Sequence, residues 1–386
     1  MFFSISHDNN ADFSHHWAWQ SVIVNTDAGW NQVITGNQLV VYKGYAESGK
    51  LIDLLPVILQ QSEPMLLGNF CVIVVDSHTI KIKTDRYRGF PIWADKKEIT
   101  NLYELTQTIW TNTYVESDLD LNLTQQKFNV IGKIDVSPIS TAKALDQIDQ
   151  ILLTRTANFV KHNTLPIRSF LTGGVDSLLV YSYLVRSNAP VEVIDYLHID
   201  YDHFWKSNSH HLEKFWGYNQ IHHWNEPTVL ASGAPGDEFM LRSPTTASMY
   251  LQFHQLNIPD LLQANPNCLH RDYFSQVKNL NAIQKPYAVA RQEHMVWDVC
   301  NTLVNDWQHW HIGNTLTWTL LRDIEVLKLL LRIPVESAIG QIINSNLSAE
   351  LIERNIPGAT AWISDQKNTG AIRKNLVRRL ETHNDL

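Results

Sequence analysis

The sequence predicts an α/β fold: a β-rich N-terminal domain over residues 1–118, then a parallel sheet flanked by helices over residues 125–386, ending in a helical part. Three observations predict it. Through residues 1–115, apolar and polar residues alternate, the period of a half-buried strand. From about residue 140, strand-like and helix-like runs succeed one another in turn, the pattern of a parallel sheet with helices packed on it. Finally, an apolar strand at 166–171 runs through Thr172-Gly173-Gly174-Val175-Asp176-Ser177 into a helical stretch.

Residues 38–43, 71–76 and 79–84 read as strands, with Asp76-Ser77-His78 as a tight turn between the last two. Residues 51–61 and 102–110 read as helices, and the polar stretch 116–123 as a link between domains. Residues 141–163 carry Ala144, Leu145, Ile148, Ile151 and Leu152 at helical spacing. Strands are expected at 166–171, 190–197, 220–224 and 228–231, with helices at 177–186 and 209–217. From residue 245 onward the chain reads mostly as helix.

A length of 386 residues accommodates one large domain or two. The hydrophobic fraction of 44% and charged fraction of 18% are those of an ordinary globular protein. A net charge of −8 gives no electrostatic reason to expect nucleic acid or a membrane as partner. The basic C-terminal residues Arg373, Lys374, Arg378 and Arg379 read as a solvated helix end. Cys71, Cys268 and Cys300 are too few and too scattered for a disulfide framework or a zinc site, and fit a reducing compartment. The apolar start at Met1-Phe2-Phe3 has no basic flank, so no signal peptide is expected. No apolar run approaches a membrane span, and a cytoplasmic protein is expected. Most of the 13 tryptophans are expected in the core.

The glycine segment carries the chemistry. Two adjacent glycines let the backbone approach an anion and aim N–H groups at it. The helix N-terminus after them adds further donors and a favourable dipole. Thr172 and Ser177 offer hydroxyls to phosphate oxygens. Asp176 would repel a bare phosphate, which points to Mg²⁺ between them. No Gly-Lys-Ser/Thr comes next, so this is not a Walker A loop.

This loop resembles the Ser-Gly-Gly-x-Asp-Ser motif of the ATP pyrophosphatases, with threonine for the first serine. Three further stretches resemble the asparagine synthetase branch. Ser232-Gly233-Ala234-Pro235-Gly236-Asp237-Glu238 is similar to that branch's Ser-Gly-x-Gly-x-Asp-Glu, with Pro235 in place of one glycine. Leu320-Leu321-Arg322-Asp323 resembles its Pro-Leu/Phe-x-Asp helix start, and residues 329–334 resemble its apolar run ending in proline. Residues 68–76 and 85–93 resemble the end of its N-terminal glutamine-hydrolysing domain. The family's glutaminase uses an N-terminal cysteine as nucleophile. Here Phe2 stands after Met1, and the nearest cysteine, Cys71, reads as a buried strand residue. The N-terminal domain is therefore expected to be a degenerate Ntn-hydrolase-like domain, as in β-lactam synthetase and lasso-peptide cyclases. Only 61 positions separate Asp176 from Asp237, so substrate-side helices of the family are expected to be missing.

The resemblance implies ATP and Mg²⁺ as cofactors. Asp176 and Asp237 would hold the metal, and Leu171, Thr172, Gly173, Gly174, Asp176, Ser177, Leu197, Ser232, Gly233 and Arg242 would line the nucleotide. Adenine contacts are expected from the backbone of Phe170, Leu171 and Leu197, and from Ser232 and Gly233. Glu238 would orient or deprotonate an attacking amine, and Lys367 would stabilise charge on departing pyrophosphate. The bland readings are an N-cap for Asp237, a first-turn carboxylate for Glu238 and a surface lysine for Lys367. The His198-x-Asp200-x-Asp202-His203 segment has no standard zinc spacing and reads as a loop, and the pairs His15-His16, His210-His211 and His222-His223 as incidental.

The implied reaction is amide synthesis: a small-molecule or peptide carboxylate is adenylated, and ammonia or a second amine displaces AMP. Ala234, where β-lactam synthetase has a tyrosine, speaks against that enzyme's substrate. A ligase acting on a nucleic acid base and a catalytically degenerate nucleotide-binding scaffold are the alternatives, and oligomerisation stays open.

Overall fold

The computed structural model describes residues 3–11, 13–61, 66–85, 92–94, 97–100, 108–109, 112–128, 137–171, 173–194, 226–233, 236–242, 250, 254, 263–264 and 315–363. These form a mixed α/β molecule with two antiparallel sheets and one parallel sheet.

The N-terminal part contains strands β1 (Phe3–Ser6), β2 (His15–Trp19), β3 (Val22–Thr26), β4 (Asn31–Thr35) and β5 (Gln38–Ala46). Helix α1 (Leu51–Gln60) is next, then β6 (Gly68–Val75), β7 (Thr79–Thr84), β8 (Ile92–Ala94), β9 (Glu98–Thr100), β10 (Thr108–Ile109), β11 (Asn112–Asp118) and β12 (Leu123–Phe128). They pair into two six-stranded sheets, ordered β10-β8-β9-β1-β3-β2 and β12-β11-β7-β6-β5-β4. Phe3, Ile5, Val22 and Val24 of the first sheet share a core with Leu39, Val41, Cys71, Ile73 and Ile82 of the second. The alternate residues of β5 and β6, Val40, Val72 and Val74, pack instead on Leu51, Leu55 and Ile58 of α1. Burial on both faces explains why β6 is apolar without a break from Phe70 to Val75. Lys83 reaches under α1 and donates to the carbonyls of Ile58, Leu59 and Gln61 at 2.7–2.9 Å, satisfying the acceptors that a helix C-terminus leaves open.

Two sequence expectations are corrected here. Residues 116–123 are not a linker but the turn and flanking ends of the β11–β12 hairpin, which carries the second sheet on to Phe128. Their polarity belongs to an edge hairpin with one face in water. The helix expected at 102–110 is contradicted at its end, where Thr108–Ile109 pairs with β8; residues 101–107 lie outside the described residues.

The second part opens with α2 (Thr141–His162), capped by the Ser140 hydroxyl accepting from the Lys143 amide. It continues with β13 (Ile167–Phe170), α3 (Val175–Arg186), β14 (Val191–Ile194), β15 (Thr228–Ala231) and the single turn α4 (Gly236–Phe239). Then come β16 (Thr315–Trp318), α5 (Ile324–Leu331), α6 (Val335–Asn344), α7 (Asn346–Asn355) and a 3-10 turn (Ala359–Trp362). The sheet is wholly parallel, in the order β14-β13-β15-β16. Within the end expected to be mostly helix, β16 adds a strand: it pairs with β15 from Thr228–Thr315 to Ala231–Trp318. The helix and strand expected at 209–217 and 220–224 lie outside the described residues.

A joint core of α2, α3, α5 and α7 includes Ile148, Leu152, Leu179, Tyr183, Leu327 and Leu351. Trp318 is fully buried and stacks on Phe159, ring centroids 4.3 Å apart. The two parts are tied together by polar contacts. Arg155 of α2 donates from Nε to Glu47 at 3.1 Å, and from one terminal nitrogen to the Leu320 carbonyl at 2.8 Å and the Asp323 carboxylate at 3.1 Å. Asp323 caps α5 through the amides of Glu325 and Val326. Asn69 of β6 donates to the Thr317 carbonyl of β16.

Candidate functional site

β14 lies on one side of β13 and β15 on the other. The described strands therefore reverse their winding direction between β13 and β15. Such a switch point leaves a crevice beyond the carboxyl ends of the strands, where parallel sheets usually take their ligands. The two glycine segments that leave β13 and β15 meet there.

The first begins at Leu171, which is buried. Gly173 stands at φ +79°, a left-handed conformation that glycine adopts without steric cost. Gly174 is the N-cap residue of α3, and no side chain caps that end. The helix starts two residues earlier than its sequence pattern indicated, so Asp176 sits in its first turn. Ser177 donates its hydroxyl to the Gly174 carbonyl at 3.0 Å.

In the second segment, the Ser232 amide donates to the Trp318 carbonyl at 3.0 Å, which pins the segment to the end of β16. Gly236 donates to the Gly233 carbonyl at 2.8 Å, closing a turn. Both glycines press on the first segment. A Cβ on Gly233 would stand 2.5 Å from the Ser177 nitrogen and 2.6 Å from the Asp176 carbonyl carbon. A Cβ on Gly236 would overlap the Asp176 carboxyl group. A side chain at Gly233 would therefore push the two backbones apart, and one at Gly236 would displace the Asp176 carboxyl group.

Asp176 is ion-paired with Arg242, which stands shortly after α4. The arginine side chain is 3% exposed and the aspartate 19%. Arg242 also donates to the Ser345 hydroxyl at 3.2 Å. Ser345 joins α6 to α7 in a left-handed conformation. Beside it, the buried Gln341 donates to the Met240 carbonyl and accepts from the Leu347 and Ser348 amides. The residues after α4 are thus tied to the α6–α7 junction.

Leu171, Gly173, Gly174, Asp176, Ser177, Ser232, Gly233 and Arg242 accordingly fall within one region. Thr172, Leu197 and Lys367 lie outside the described residues. So do the side chains of Asp237 and Glu238, whose backbone forms α4 directly after Gly236. Among the described residues no group of three or more His, Cys, Asp or Glu could hold a metal ion. Mg²⁺ that arrives with phosphates needs only one or two carboxylates. Asp176 suits it chemically, and the guanidinium of Arg242 already holds that carboxylate.

Cys71 sits in the interior of β6, fully buried. Burial, and then Asp85, push its thiol well above the usual range. It has neither the access nor the ionisation of a nucleophile.

Sequence reasoning missed the contact between Arg242 and Asp176 and the Glu47–Arg155–Asp323 cluster. Only Asp323 carried a signal, as the last residue of Leu320-Leu321-Arg322-Asp323. No protein-family model matches the chain, and no curated protein sequence is significantly similar to it. No helix among the described residues is long and apolar enough to cross a membrane.

Proposed function

We propose that this chain binds ATP at the β13–β15 crevice and splits it to AMP and pyrophosphate while activating a carboxylate for amide formation. The observation that supports this is the meeting of the two glycine segments at the switch point, where Gly233 and Gly236 leave no room for a side chain. Their likeness to asparagine synthetase motifs supplies the reaction class. The backbone N–H groups around Gly173 and Gly174 and the first turn of α3 would receive phosphate oxygens. Asp176 and Asp237 would hold Mg²⁺, which neutralises phosphate charge and makes pyrophosphate a better leaving group. Glu238 would orient the amine, and Lys367 would meet charge formed on departure. No Walker lysine is present to hold a γ-phosphate for transfer.

The test is a mass-spectrometric screen of carboxylates and amines with ATP and Mg²⁺. AMP and pyrophosphate in equal amounts, with an amide product, are expected. Stoichiometric ADP defeats the assignment. A second reading, a nucleotide-binding scaffold without turnover, is favoured by one observation: Arg242 occupies the carboxylate a metal would need. ATP binding with no nucleotide product anywhere in the screen would support it.

A further inference from the structure

We propose that Arg242 is the resident counter-ion of Asp176 and that Mg²⁺ competes with it for that carboxylate, so that Arg242 sets the Mg²⁺ concentration at which the site loads. The inference rests on the ATP reading above and concerns the regulation of the same site.

Three features carry it. First, the pair is lopsided: the guanidinium lies inside the protein while the carboxylate keeps 19% of its side chain exposed. Of its two oxygens, Oδ1 is shut off from solvent and Oδ2 is the one that Arg242 holds, so a cation has to take the oxygen the arginine occupies. Second, the carboxylate has little freedom to turn away. Gly236 lies so close against it that even a methyl group would overlap the carboxyl carbon. A metal must therefore bind the carboxylate close to the arginine, and two cations on one carboxylate in a partly buried setting repel each other strongly. Third, Arg242 is not a loose surface side chain. The Ser345 hydroxyl holds it, and Ser345 lies beside the Gln341 network that locks the α6–α7 junction to Met240. The guanidinium is presented to Asp176 by packing, and a metal has to displace it.

The experiment monitors thermal unfolding of the full chain in saturating ATP as Mg²⁺ is titrated, because a ligand bound only by the folded state raises its stability by mass action. The Mg²⁺ concentration giving half the full shift is compared for the wild type, Arg242→Met and Ser345→Gly. A hydrogen-bonded charge contact of this kind is worth enough to shift the midpoint roughly tenfold. Arg242→Met is expected to lower the midpoint by about that factor, and Ser345→Gly by roughly two- to threefold, since it loosens the arginine without removing it. Glycine adopts the φ of 58° at position 345 without strain, so this variant decides the matter if Arg242→Met does not fold. Wild-type stabilisation by Mg²⁺ and ATP, with midpoints unchanged or raised in the folded variants, overturns the competition and leaves the ATP reading standing. No stabilisation of any of the three proteins overturns the ATP reading, and the competition with it.

Discussion

Arg155 and Arg242 are both buried, and both meet an aspartate on another element, yet their surroundings differ. Around Arg155 the carboxylate partners are enclosed: the side chains of Glu47 and Asp323 are 4% and 2% exposed. Backbone carbonyls of Leu320 and Arg322 accept from the same guanidinium. Around Arg242 the aspartate belongs to the first turn of α3, keeps 19% of its side chain exposed and lies against a glycine of the opposing segment. An enclosed guanidinium is a structural tie. One whose carboxylate stands at a crevice can be exchanged for a metal ion, as proposed above.

The contrast is tested most severely at Arg155. Removing one member of a buried, hydrogen-bonded ion cluster leaves the others charged in a poor solvent, at a cost of about 3–5 kcal/mol. Arg155→Ala should lower stability by that amount in chemical denaturation. The loss should appear in both parts of the molecule, because Glu47 belongs to the N-terminal part and Asp323 caps α5. A variant that keeps wild-type stability would show that the tie is no stronger than its replacement.

The next largest effect lies on the functional side. Gly233→Ala puts a methyl group 2.5 Å from the Ser177 nitrogen, so backbone must move. Overpacking of this kind costs about 1–3 kcal/mol. The fold should survive, as circular dichroism would report, while the stabilisation that the proposed site draws from ATP and Mg²⁺ is lost. Retained nucleotide stabilisation would mean that the two segments need not touch for binding.

The same contrast explains how much of the molecule is legible in its sequence. Strands β5–β7, helix α2 and the β13–loop–α3 unit are legible because each carries its own periodicity or turn chemistry. The glycine segments are legible as motifs, and Gly233 and Gly236 owe their identity to the neighbour they touch. β16 is not legible: Thr315–Trp318 is four residues long, and only its partner β15 makes it a strand. The hairpin over 116–123 passes for a linker because an edge with one wet face has the composition of one. Neither arginine contact leaves a local trace. Glu47 and Arg155 stand 108 positions apart, and tertiary packing alone selects such a pair.

The smallest expected effect concerns Asp76 in the β6–β7 turn, a carboxylate held mainly by backbone amides. It accepts from the amides of His78 and Thr79 at 2.8 and 2.7 Å and from the Thr79 hydroxyl at 2.9 Å. Partial burial would raise its pKa, but these hydrogen bonds and Lys81 outweigh it and bring the group below its ordinary value of 3.8. A carboxylate with a lowered folded pKa stabilises the protein above its unfolded value, and the contribution disappears as pH falls through the folded value. Asp76→Asn should thus cost about 1 kcal/mol near neutral pH. The gap between variant and wild type should stay constant down to about pH 5 and close as the medium is acidified below 3.8. A gap that persists undiminished in strong acid would show that turn geometry, rather than the carboxylate charge, provides the stabilisation. Amides fix this carboxylate from within its own turn, and that separates it from Asp176, whose charge is balanced by an arginine brought in from another element.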